Sequence, residues 1–174
     1  GNLLANSPTV VVVWDAASQT SPTGFRGIDR ATGEELWVSD TMLSDQSGNM
    51  VGRSPAAVLD EVMAVPTGST ITAIDMPTGA VLWQSPQLDD PAAADGTIVG
   101  SRRASGAPTV AAIDAASGEE RWTAPGSASY GDLLAVGDGV IVVMDAGENR
   151  GLDLIAYDLS SGVERWQVTQ TSHL

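Results

Sequence analysis

Apolar residues in this 174-residue chain fall into short, β-branched runs at 9–14, 70–74, 109–113 and 140–143. Gly, Pro, Asp and Ser clusters bound each run. A helix would need apolar positions three and four apart over longer stretches, so these runs predict strands. The chain parses into groups of four strands. The last group reads 133–136, 140–144, 154–157 and 163–168. The second reads 56–59, 62–66, 70–74 and 80–84, and the third reads 92–94, 97–101, 109–113 and 119–123. The first is the least regular, at 3–6, 9–15, 25–28 and 34–39.

One phrase recurs at the end of each group: Asp, two residues, Ser or Thr, Gly, three residues, Trp. It runs from Asp29 through Gly33 to Trp37, from Asp75 through Gly79 to Trp83, from Asp114 through Gly118 to Trp122, and from Asp158 through Gly162 to Trp166. The chain's own residue frequencies predict roughly a hundredth of one match by chance, so four copies mean internal repetition. The Trp-to-Trp intervals of 46, 39 and 44 residues are the length of a four-stranded propeller blade. The fold class expected is therefore all-β, a β-propeller of four-stranded antiparallel blades. Its blades lie at approximately 1–40, 41–86, 87–125 and 126–170 of a single domain, with a tail at 171–174.

Each repeated position has a physical role. The Asp side chain accepts N–H bonds from the turn, and Gly supplies a positive φ that other residues resist. Two residues before each Asp stands a small residue: Gly27, Ala73, Ala112 and Ala156. That leaves room for the bulky Trp of the neighbouring outer strand. Four buried Trp side chains, at about 150–250 Å² each, would contribute up to about 15–25 kcal/mol to the core. Four equivalent aspartates are turn chemistry rather than catalysis, because a catalytic carboxylate is singular or paired in one pocket.

The string Ala-x-Asp-x-x-Thr/Ser-Gly-x-x-x-Trp, present as Ala73 to Trp83, Ala112 to Trp122 and Ala156 to Trp166, resembles the pyrroloquinoline-quinone-type repeat. This is the tryptophan-docking motif of quinoprotein-like β-propellers. The first copy departs by Gly27 in place of Ala. The resemblance covers essentially the whole chain and implies a Trp stacked between adjacent blades. It also implies rings of about seven or eight blades, so four blades are half a ring. Three completions are open: further blades of a longer protein, a second copy pairing head to tail, or a four-bladed ring. The same repeat serves dehydrogenases, assembly scaffolds and kinase-linked sensors.

Composition narrows the chemistry. The chain has no Lys, eight Arg, 22 acidic residues and a net charge of −14, which repels nucleic acid and anionic membrane surfaces. No run approaches the eighteen apolar residues of a membrane span. The Arg102-Arg103 pair is expected in a solvated hairpin loop. Leading Gly1 suggests a trimmed N-terminus, which leaves room for a signal or anchor in sequence not present. The resemblance implies an extracytoplasmic, bacterial setting, periplasmic, surface-bound or secreted.

Cys is absent and the single His, His173, lies in the tail, so triad and thiol chemistry lack their residues. The resemblance implies that active quinone enzymes carry an adjacent Cys pair, a Ca²⁺ held by Glu and Asn, and a catalytic Asp. That set does not map onto this chain. No catalytic residue and no cofactor is expected. Asp145, Glu148 and Asp153 in the loop 145–153 are the candidate Ca²⁺ donors, because hard cations prefer oxygen.

Length variation concentrates in the connections between the second and third strands and between blades. The longest joins the first two blades. Binding residues usually occupy such loops on a rigid scaffold. Trp14, Met42, Met50 and Arg53 are therefore the candidate partner-binding residues, for a protein or peptide. The functional expectation is a non-catalytic binding scaffold or sensor. The rival is a set of blades from a quinone- or metal-dependent oxidoreductase whose active site lies in other sequence.

Overall fold

The computed structural model describes residues 2–14, 24–39, 56–67, 69–102, 109–125, 132–146 and 152–170. They form four antiparallel sheets of four strands, each a simple meander in chain order. Blade one holds β1 (Asn2–Asn6), β2 (Val10–Trp14), β3 (Phe25–Asp29) and β4 (Glu35–Ser39). Blade two holds β5 (Ala57–Leu59), β6 (Val62–Thr67), β7 (Thr70–Asp75) and β8 (Val81–Pro86). Blade three holds β9 (Asp89–Ala94), β10 (Thr97–Arg102), β11 (Thr109–Asp114) and β12 (Glu120–Pro125). Blade four holds β13 (Asp132–Gly137), β14 (Val140–Ala146), β15 (Leu152–Asp158) and β16 (Glu164–Gln170).

The middle strands explain the unbroken apolar runs. Residues 71–74 of β7 and 110–113 of β11 are buried at every position, so both of their faces are covered. A strand covered on both faces needs apolar residues throughout rather than in alternation. The fourth strands are mostly exposed, with buried positions only at Ser85 of β8 and at Trp122 and Ala124 of β12. Tight turns join the first and second strands. Asp95-Gly96 and Asp138-Gly139 both carry positive φ at each residue, the two-residue hairpin that Asp-Gly favours because its twist matches the strands.

A β-bulge recurs in the same place in all four blades. In blade one Gly27 pairs with Trp37, but Ile28 pairs with Glu35, so Leu36 is the extra residue. The same slip leaves Leu82, Arg121 and Arg165 as extra residues immediately before Trp83, Trp122 and Trp166. The bulge sets the three-residue spacing between the motif Gly and Trp. It also places each Trp directly opposite the small residue of the third strand: Gly27, Ala73, Ala112 or Ala156.

By contacts the chain divides into two compact units. One comprises 1–87 and the turn tip 116–118; the other comprises 88–115 and 119–174. The first has a core of Ala5, Val10, Val12, Phe25, Met63, Val65, Ile74 and Met76, with Trp37 packed against it. In the second unit Val99, Val110, Ala112, Trp122 and Ala124 of blade three meet Ile141, Val143, Ile155, Tyr157 and Leu159 of blade four.

The motif glycines separate by environment. All four have φ near +70°, but a Cβ on Gly79 or Gly118 would stand 2.6 Å from a Trp ring carbon, whereas one on Gly33 would meet nothing within 4 Å among the described residues. Gly79→Ala and Gly118→Ala should each cost about 2–4 kcal/mol, from left-handed strain plus overpacking. Gly33→Ala should cost about 1–2 kcal/mol, from strain alone. Urea denaturation of the three variants tests the difference, and equal losses would refute it.

Candidate functional site: tryptophan sockets and loop-bearing strand ends

Each motif turn is a small polar cage. Asp29 Oδ1 accepts the amides of Ala31 and Thr32 at 2.8 Å. Asp158 Oδ1 accepts from the amides and hydroxyls of both Ser160 and Ser161. Asp75 Oδ1 accepts the Thr78 amide and hydroxyl. The backbone closes around them, with the Gly33, Gly79 and Gly162 amides donating to the Asp carbonyls at 2.8 Å. In blades three and four the bulge residue is Arg. Arg121 and Arg165 each reach back to the motif Asp at 2.6 Å.

These donors set the carboxylate acidity. The Ser160 hydroxyl, then Arg165 and the Ser161 hydroxyl, hold Asp158 far below the usual carboxylate range. Asp29 is lowered by the Thr32 and then the Ala31 amide. Both are solvent-facing, structural carboxylates: what they bind is their own turn.

The Trp side chains fill sockets built from these turns. Trp37 lies across Gly79 and donates its indole N–H to the Met76 carbonyl at 2.7 Å. Trp122 lies across Gly162 and donates to the Leu159 carbonyl at 2.8 Å. The accepting residue is the one that follows the motif Asp in both cases. Its amide is already bonded to the inner hairpin, Met76 to the Glu61 carbonyl and Leu159 to the Gly139 carbonyl. Trp83 lies across Gly118. Trp122 is the most enclosed, at 9% exposure. It packs beside Tyr157 with ring centroids 6.5 Å apart, while the Tyr157 hydroxyl donates to the Pro125 carbonyl.

The expectation of four equally buried Trp side chains fails at the last copy. Trp166 is 43% exposed, because no turn covers it among the described residues. Arg102 also departs from expectation. It ends strand β10 rather than lying in a loop, and its guanidinium meets Glu120 at 2.5 Å.

Each of the other described site candidates lies, within its own blade, at the strand end opposite to the motif turn. Trp14 is the last residue of β2, paired with Phe25 and Asn2. Asp145 and Asp153 are cross-strand partners where β14 meets β15. Asp153 Oδ2 accepts from the Gln167 side-chain amide at 3.2 Å, while its Oδ1 is buried with no partner among the described residues. Met42, Met50, Arg53, Glu148 and His173 lie outside the described residues. Among the described residues no group of three or more His, Cys, Asp or Glu side chains is placed to hold a metal ion.

The family model described as outer membrane protein assembly factor BamB matches residues 4–103 and 68–174. The chain belongs to this family of PQQ-type repeat β-propellers. Solved structures share the fold. The chain resembles a europium-containing methanol dehydrogenase with TM-score 0.66 and 15% identity, covering 99% of this chain and 42% of that one. It resembles BamB from Moraxella catarrhalis with TM-score 0.56 and 20% identity, covering 92% and 58%. It also resembles the computationally designed Ika8 protein with TM-score 0.65 and 17% identity, covering 97% and 50%. The chain thus spans roughly half the length of these structures. No curated protein matches it. At these identities the likeness shows the fold, which is a β-propeller shared by enzymes and non-enzymes.

Trp122→Ala should destabilise the chain by about 3–5 kcal/mol, as other large-to-small core changes do. Trp122→Phe should cost about 1–3 kcal/mol, because the Leu159 carbonyl loses its donor. Denaturant melts of the pair check both figures, and a Phe variant as stable as the native chain would contradict the socket hydrogen bond.

The motif carboxylates also predict an acid limit. Asp158 is lowered from its ordinary 3.8, so its contribution is complete above that value and is lost as pH falls through the lower folded pKa. Below about pH 4, Asp158→Asn should therefore lose less Tm than the native chain does. Parallel acid titration curves for the two proteins would contradict this.

Proposed function

We propose that this chain is a non-catalytic, protein-binding scaffold or sensor propeller of a bacterial extracytoplasmic protein, which presents its site on the strand ends that carry the long connections. The observation behind this reading is an asymmetry in connection length within the blades. At one end the first two strands are joined by two or three residues and the last two by five, in every blade. At the other end the connections range from two residues at 87–88 and 68–69 to ten at 15–24 and seventeen at 40–56. Uniform turns keep a scaffold stiff, and variable loops on a stiff scaffold are where recognition residues evolve.

The loop end also offers suitable chemistry. Trp14, Met42, Met50 and Arg53 fall on or beside the two longest connections. Aromatic, Met and Arg side chains are enriched at protein interfaces. The family's description as an outer membrane protein assembly factor supports a protein partner and, with it, an extracytoplasmic location. An inventory without Cys and with one His supports a role in binding over one in catalysis.

A photo-crosslinking residue at Met42 or Met50, in the bacterium that makes the protein, should capture a protein partner. The same residue at Thr78 or Ser117, exposed on motif turns, should capture much less of it. Capture confined to the turn positions would contradict the face assignment. Quinone- and Ca²⁺-dependent dye reduction by the purified chain would contradict the non-catalytic reading.

A further inference from the structure

Aligned by the repeat, the three residues between the motif Gly and the Trp differ in character in one blade. They are Glu34, Glu35 and Leu36 in blade one, Glu119, Glu120 and Arg121 in blade three, and Val163, Glu164 and Arg165 in blade four. Most of the charged ones have a structural task. Glu35 pairs with Arg26, Glu120 with Arg102, and Arg121 and Arg165 with their motif Asp. In blade two the stretch is Ala80, Val81 and Leu82, apolar throughout and exposed at every position. Of the four outer strands only β8 carries no charged residue, although charge is a common protection of a sheet edge.

The socket of the first unit gives this stretch a neighbour. Trp37 lies across Gly79, so Leu36, the bulge residue just before that Trp, is brought to the turn from which Ala80 leads into β8. Leu36 is 45%, Val81 52% and Leu82 47% exposed. β4 and β8 are each the last strand of their sheet, so these side chains stand on open outer edges. All of them belong to the same compact unit. Single exposed aliphatic residues are ordinary, but a contiguous set with a polar border marks a contact surface. The border here is acidic, with Asp29, Glu34, Glu35 and Asp75 around it. The nearby cations are engaged: Arg26 pairs with Glu35 at 3.4 Å, and Arg30 donates to the Ser7 carbonyl at 3.0 Å.

We propose that this junction of blades one and two is a docking surface for a protein segment whose aliphatic side chains are flanked by Lys or Arg. Leu36, Val81 and Leu82 supply the apolar contact, and the carboxylates around them select the charge of what approaches. The same charge repels anionic lipid. The surface lies at the motif-turn end of its blades and stands independently of the site proposed at the loop end. Blades three and four carry Arg at the bulge instead, and Arg121 and Arg165 turn back to their own motif Asp at 2.6 Å.

Fluorescence anisotropy of a dye-labelled synthetic peptide, with a Leu-Val-Leu centre flanked by Lys at both ends, tests the proposal on the purified chain. The expected result is saturable binding that weakens as salt rises. A peptide with Glu in place of Lys should bind at least about tenfold more weakly. Leu36→Arg and Leu82→Arg each install the residue that blades three and four carry at the bulge, so both variants should fold, which circular dichroism checks. Each should weaken binding of the Lys-flanked peptide at least about tenfold, by removing an anchor and adding a cation. If one of them fails to fold, the other carries the test. Val163→Thr, at an aliphatic residue 63% exposed in blade four, should leave binding unchanged. Absence of binding overturns the proposal, as does binding that survives a folded Arg variant or falls equally with Val163→Thr. Binding of phosphatidylglycerol vesicles in place of the peptide also overturns it and makes the patch a lipid contact.

Discussion

The packing of this protein depends on a contact between a large ring and an absent side chain. A Trp at the end of one blade lies flat across a glycine whose positive φ and missing Cβ let the ring come within van der Waals reach of the backbone. The indole N–H then finds the carbonyl of the residue that follows the motif Asp. Burying one such ring is worth up to about 4–6 kcal/mol, but only if the turn holds its shape. The Asp carboxylate ensures that by gathering the turn's amides and hydroxyls. The polar cage and the apolar socket are therefore two sides of the same five residues. Without the cage the turn amides would lose their acceptor, and without the socket the ring would be exposed.

Most of this was legible in the sequence. The fourfold spacing, the Gly that needs positive φ and the small residue ahead of the Asp all pointed to blades, and every strand falls within three residues of its expected place. Two features were missed. The bulge before each Trp shows only as the constant three-residue gap between Gly and Trp, because a slip in register leaves no residue type of its own. The Arg at that bulge in blades three and four, which ties back to Asp114 and Asp158, could have been found from its spacing of seven from the Asp. The expectation of four equal Trp contacts failed for a physical reason. Identical motifs do not have identical neighbours, and Trp166 has no turn over it among the described residues.

Function was less legible, because the repeated residues are taken up in building the turns and the sockets. The family's repeat supports enzymes and binding proteins alike, and a conserved architecture cannot distinguish them. Length asymmetry is the more informative signal. The turn end keeps its dimensions from blade to blade, and three of the four turns receive a Trp, whereas the connections at the loop end vary in length. The same reasoning separates the acidic residues. Asp29 and Asp158 are occupied by their own turns, while Asp145 and Asp153 sit at the variable end, where nothing in the repeat requires a carboxylate.

The most direct test of the socket is a double-mutant cycle between Trp122 and Gly162. Gly162→Ala places a methyl group against the Trp122 ring, where a Cβ would stand 2.6 Å from it, and Trp122→Ala removes the ring. If the two residues form one socket, the double variant should be more stable than the sum of the single losses predicts, by at least about 1 kcal/mol. Losses that add to within about 0.5 kcal/mol would mean that the ring and the glycine are independent, which would contradict the account.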